Sequence, residues 1–276
     1  MTCKTILVAL DAGPRCAARV GVAARLAVAH RSRLVGVAPT GLPDVIVTMN
    51  SRVPDAVECV GLSVSFLRER ADAVARAFEQ QARDADVASF EARVVDDEPL
   101  DAVVRAGLCC DLVVVGQTDP STPVDGIAFD FPQQVVLHTG APVLVVPFAG
   151  DFGVPGARVL VAWKDTREAA RALRDALPML SGAGQVMLVE IGEGGGGPDT
   201  LPDAQRWLAD HGIAATARSV PRVADAGDAL IGLAAELSCD LVVMGAYGHS
   251  RLREWVLGGV TRHVLDAMTV PTLMSH

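Results

Sequence analysis

The chain has 276 residues, more than one compact domain usually needs, and half of them are hydrophobic while only 4% are aromatic. Its core must therefore be built from Val, Leu, Ile and Ala, the composition of buried parallel strands under Ala-rich helices. A formal net charge of -9 and a pI near 5.1 oppose nucleic-acid binding, which relies on clustered Lys and Arg.

In chain order, short apolar runs alternate with helical patterns, the signature of βαβ units that close a parallel sheet. The start, MTCKTILVALDAG, has too short an apolar run for a signal peptide, and no segment reaches the roughly 18 apolar residues of a membrane span. A cytoplasmic location is expected. In the first half, strands are expected at Thr5 to Leu10, Arg33 to Ala38, Phe90 to Val95, Leu112 to Gly116 and Val143 to Val146. In the second they are expected at Arg158 to Trp163, Gln185 to Ile191, Ile213 to Val220, Leu241 to Gly245 and Pro271 to Met274. Between strands, Val64, Leu67, Ala71, Val74 and Phe78 recur at helical steps, and so do Ala169, Leu173, Ala176, Leu177 and Leu180.

The two halves repeat one pattern. DLVVVG at Asp111 to Gly116 returns as DLVVMG at Asp240 to Gly245, and Ala141-Pro142-Val143-Leu144 returns as Val270-Pro271-Thr272-Leu273, both at an offset of 129. ILVALD at Ile6 to Asp11 corresponds to VLVAWK at Val159 to Lys164, but at an offset of 153, so the first half carries 24 extra residues. They fall mainly between Pro39 and Leu62 and read as a surface excursion. Gly150 to Gly156, rich in Gly and Pro, reads as the linker, giving domains at 1–149 and 157–276. The fold class is α/β, as two tandem open parallel-sheet, Rossmann-like domains.

Ligands of such sheets bind beyond the carboxyl ends of the strands, where strand order reverses. There the second half reads Gly245-Ala246-Tyr247-Gly248, nine residues, then Gly258-Gly259-Val260-Thr261 at the start of the last helix. Glycines let a backbone approach a ligand closely, and the amides of Gly259, Val260 and Thr261 at a helix start suit a phosphate. The Thr261 hydroxyl adds a further hydrogen-bonding group.

This Gly-x2-Gly-x9-Gly spacing, after DLVVMG and before VTRHVL and VPTLM, resembles the nucleotide-binding signature of the universal stress protein family. The resemblance extends over both halves and implies the adenine nucleotide alpha hydrolase-like fold. It implies ATP, with or without Mg2+, held by Gly245, Gly248, Gly258, Gly259, Val260 and Thr261, with the adenosine near the end of the first strand. Many members of the family bind no nucleotide. Two positions depart from its pattern: Gly259 stands where Ser or Thr is usual, and Lys164, followed by Asp165, stands where Asp ends the first strand.

The first half keeps Asp11 but has no second glycine after Gly116, and Pro120, Pro123 and Pro132 remove amide donors, so its site reads as degenerate. Gly194 to Gly197 reads as a flexible loop, since no GK[ST] follows it. Arg251 and Arg253 are suited equally to a phosphate or to solvent. The six cysteines form no zinc-like spacing, and His249 and His263 lack metal partners at useful spacing, so no metal site is expected. No nucleophile elbow and no positioned base appear, so catalysis is not expected beyond slow ATP hydrolysis.

The expected function is a stress-response protein that binds an adenine nucleotide in its second domain. The alternative is a nucleotide-free scaffold for a protein partner. The closing strands at Val143 to Val146 and Thr272 to Met274 would leave apolar edges if unpaired. The family pairs through these strands, which implies an intramolecular pseudo-dimer here and leaves a homodimer open.

Overall fold

The computed structural model describes residues 3–42, 54–124, 126–192, 200–221, 223–248 and 259–276. It divides into two compact units, Cys3–Ala141 and Pro142–His276.

In the first unit, β1 (Thr5–Ala9), β2 (Arg33–Pro39), β3 (Ser89–Val95) and β4 (Leu112–Gly116) are all parallel, in the order β3-β2-β1-β4. Helices α1 (Cys16–His30), α2 (Pro54–Asp84), α3 (Pro99–Gly107) and α4 (Phe131–His138) complete the unit. Ile6, Leu7 and Val8 have no exposure, as expected of a central strand covered on both faces. Along α2, Ala71 and Phe78 are buried and Val64, Leu67 and Val74 are half-buried, which is the apolar face foreseen from the sequence. The 24 extra residues are not all excursion. Residues 43–53 lie outside the described residues, but from Pro54 onward the extra sequence is the beginning of α2.

In the second unit, β5 (Val143–Val146), β6 (Arg158–Trp163), β7 (Gln185–Ile191), β8 (Ala215–Val220), β9 (Leu241–Gly245) and β10 (Thr272–Ser275) run in the order β5-β10-β9-β6-β7-β8. All pairs are parallel except β5 with β10, where Leu144 lies opposite Leu273 in an antiparallel register. By its contacts β5 thus joins the second unit, covering the apolar edge that β10 would otherwise present. The helices here are α5 (Arg167–Asp175), α6 (Leu177–Leu180), α7 (Leu201–Asp210), α8 (Ala226–Glu236) and α9 (Val260–Ala267).

The repeated Asp before each LVV strand has the same task in both units. The Asp111 carboxylate accepts from the Lys4 and Thr5 amides at 2.7 and 2.8 Å, stapling β4 to the start of β1. Asp240 accepts from Gly156, Ala157 and Arg158 at 2.9 to 3.1 Å and holds β9 to β6 in the same way. No helix among the described residues is long and apolar enough to cross a membrane.

Candidate functional site

Strand order reverses between β6 and β9, so the loops that leave their carboxyl ends part and open a cleft between them. The cleft has a volume of about 180 Å³. Its lining combines apolar Ala162, Val189, Ile191, Leu230 and Met244 with polar Lys164, Thr166, Glu168 and Thr261. Trp163 also lines it, and the indole Nε1–H donates to Thr200 Oγ1 at 3.1 Å.

Of the residues singled out from the sequence, Lys164, Gly245, Gly248, Val260 and Thr261 line this cleft. Gly259 does not; it is the residue that caps α9. Asp165 is exposed and stands outside the lining. Gly258, together with His249, Arg251, Arg253 and Gly194 to Gly197, lies outside the described residues.

The glycines are needed for reasons the motif does not show. A Cβ on Gly245 would lie 2.4 Å from the Ala169 amide nitrogen and 2.5 Å from the Glu168 carbonyl carbon, so this glycine lets β9 meet the first turn of α5. A Cβ on Gly248 would lie 2.9 Å from Glu168 Oε2 and 3.5 Å from Thr166 Oγ1. Between them, Tyr247 adopts a φ of 56°, and its amide donates to Thr261 Oγ1 at 3.3 Å. The buried Thr261 oxygen therefore already accepts one bond, while its O–H proton is left to donate. Thr166 caps α5 by accepting from the Ala169 amide at 3.2 Å, which fixes the loop that follows Lys164.

Glu168 is the principal residue that the sequence reading missed. It is only 4% exposed and pairs with the exposed Arg167 guanidinium. Burial opposes its ionisation, but the Arg167 hydrogen bond, a backbone hydrogen bond and the charges of Arg167 and His276 outweigh it, holding the carboxyl below its usual range. The signal was its position four residues before Ala172, in line with the buried stripe of α5. A depressed folded pKa contributes stability above the unfolded carboxyl pKa, and this is lost as pH falls through the lower folded value. Comparing Tm against pH for the native chain and Glu168→Gln should show a difference that is largest near neutrality and narrows below about pH 4.

The corresponding region of the first unit is closed from within. Arg19, on α1, is 5% exposed; its Nε donates to the Ala9 carbonyl at 2.9 Å and one terminal nitrogen lies 2.6 Å from Asp11 Oδ2. Another terminal nitrogen would lie 2.5 Å from a Cβ on Gly116, the counterpart of Gly245. Burial opposes the guanidinium charge, and Asp11 together with Cys16 more than offsets this. The hollow that remains near Asp11 holds only about 30 Å³. His263 lies on the partly exposed face of α9, beside Asp225 and Asp228 of the neighbouring α8.

An open parallel sheet with a cleft at its point of reversal defines the chain as a Rossmann-like α/β protein. Residues 198–276 match the model of the Universal stress protein family. The fold is shared with a universal stress protein from Archaeoglobus fulgidus DSM 4304, at 16% identity and a TM-score of 0.69 over 98% of this chain and 95% of that one. It is shared as well with a functionally unknown protein from Pseudomonas aeruginosa PAO1, at 14% identity and a TM-score of 0.59 over 99% of this chain and 92% of that one. No curated protein matches the sequence.

Proposed function

We propose that the chain is a stress-response protein that binds an adenine nucleotide, ATP with Mg2+, in the cleft between β6 and β9, and that it acts by occupancy rather than by turnover. The observation that carries this reading is a cleft of mixed apolar and polar lining at the switch point, beside the start of α9. The base would enter against Val189, Ile191, Leu230 and Met244. The ionised Glu168 is suited to accept from ribose hydroxyls and repels phosphate, so the phosphates would lie toward the amides of Val260 and Thr261, with the Thr261 hydroxyl donating. Lys164, exposed just after β6, stands where Asp is usual in the family. The cytoplasm suits such a ligand, and the tandem copies are expected to form an intramolecular pseudo-dimer.

The test is optical. Trp163 lines the cleft, so ATP should change the tryptophan emission of the native chain and leave that of Trp163→Phe unchanged. Emission unaltered in both proteins would count against the reading.

A second reading, a nucleotide-free scaffold for a protein partner, is favoured by the buried carboxylate of Glu168 in the cleft and by the self-closed first unit. Lys164→Asp separates the two. On the nucleotide reading it restores the residue usual in the family and should strengthen ATP binding several-fold; on the scaffold reading titration with ATP gives no heat before or after the change.

A further inference from the structure

Helices α8 and α9 meet beside the cleft, with Ala226 and Val260 at their first turns both part of its lining. Around these first turns three side chains converge, from Asp225 at the cap of α8, Asp228 within it and His263 of α9. His263 Nε2 lies 2.8 Å from Asp228 Oδ1, and His263 Nδ1 lies 3.6 Å from Asp225 Oδ2. Taking one donor atom from each residue, all three lie within 4.8 Å of one another.

The arrangement is held from below. Asp225 caps α8, its Oδ1 accepting from the amides of Gly227 and Asp228 at 2.7 and 3.2 Å, which leaves Oδ2 turned toward the imidazole. Gly227 leaves room for the ring, because a Cβ there would lie 2.7 Å from His263 Cδ2. The carboxylates are exposed and His263 is half-exposed, so the group stays open to water.

We propose that Asp225, Asp228 and His263 form a binding site for a first-row divalent transition ion, typified by Zn2+ or Co2+, with water completing the coordination. One imidazole nitrogen with two carboxylate oxygens is a donor set for such ions, whereas Mg2+ and Ca2+ favour oxygen alone. Bonds of about 2.0 to 2.2 Å in a tetrahedral site put donor atoms about 3.3 to 3.6 Å apart. An ion binds only one ring nitrogen: Nδ1 and Asp225 Oδ2, 3.6 Å apart, already match that spacing, and the exposed Asp228 side chain, now 2.8 Å from Nε2, must rotate around the ring to join them. The residues are 35 and 38 positions apart in sequence, so no motif spacing marks them. The competing account is a hydrogen-bonded clamp between two helices, with a proton where the metal would sit.

The experiment titrates the full chain with Zn2+ by calorimetry and with Co2+ by visible absorption, without nucleotide, so its outcome is independent of the nucleotide reading. One ion per chain is expected, with affinity at least tenfold weaker in both His263→Gln and Asp228→Asn and unchanged in Cys109→Ser, which removes an exposed thiol. Equal melting temperatures without metal would show that the variants fold. Absence of stoichiometric binding, affinity that survives both variants, or binding lost in Cys109→Ser would each overturn the site and leave the helix clamp.

Discussion

Arg19→Leu should destabilise the first unit by about 3–5 kcal/mol, the usual cost of breaking a buried ion pair by removing one partner. The guanidinium is buried, bonded to both the Ala9 carbonyl and Asp11, and the Asp11 carboxylate beside it is 16% exposed. Without Arg19 that carboxylate keeps its desolvation cost and loses its compensating charge. The double variant Arg19→Met with Asp11→Asn should recover much of the loss, because replacing both charges removes the penalty instead of stranding half of it. Urea unfolding of the three proteins measures both numbers. A single variant as stable as the native chain would show that the pair contributes nothing to stability.

Gly248→Val should weaken ATP binding at least tenfold, about 1.4 kcal/mol, while leaving the fold intact. Its Cβ comes close only to the far end of the Glu168 side chain, with Thr166 Oγ1 at an ordinary 3.5 Å, but the added methyl groups would enter a cleft of about 180 Å³. Gly245→Ala should behave in the opposite sense. Its Cβ meets backbone at 2.4 and 2.5 Å, so α5 must shift away from β9 and stability falls by about 1–3 kcal/mol. Thermal melts and titrations of the two variants separate a glycine kept for the ligand from one kept for packing. If Gly248→Val binds as the native chain does, the nucleotide does not pass this residue.

The strands were legible because parallel strands covered on both faces must be apolar throughout: LVVVG, VLVAW and LVVMG announce themselves. Their observed limits differ from expectation by at most two residues, as at β8, which begins at Ala215. The length of α2 was not legible, because its first turns fall in a stretch punctuated by Pro and Gly that reads as a turn. At the cleft, the sequence identified which loops meet but not what fills the space between them. Gly245 reads as room for a ligand, yet the atoms that come nearest are those of α5. Glu168, Thr166 and Tyr247 escaped notice because their importance depends on a close approach between β9 and α5 that no local spacing encodes. The same is true of Arg19, whose partner Asp11 is eight positions away, on the other side of a strand-to-helix turn.

The central claim, that the cleft of the second unit binds an adenine nucleotide, is tested most directly by isothermal titration of the purified chain with ATP and Mg2+, after denaturing extraction to release any nucleotide carried through purification. The account predicts one ATP per chain with micromolar affinity, or nucleotide recovered in the extract at the same ratio. No heat of binding and no recovered nucleotide would contradict it and leave the protein-interaction scaffold as the function of this fold.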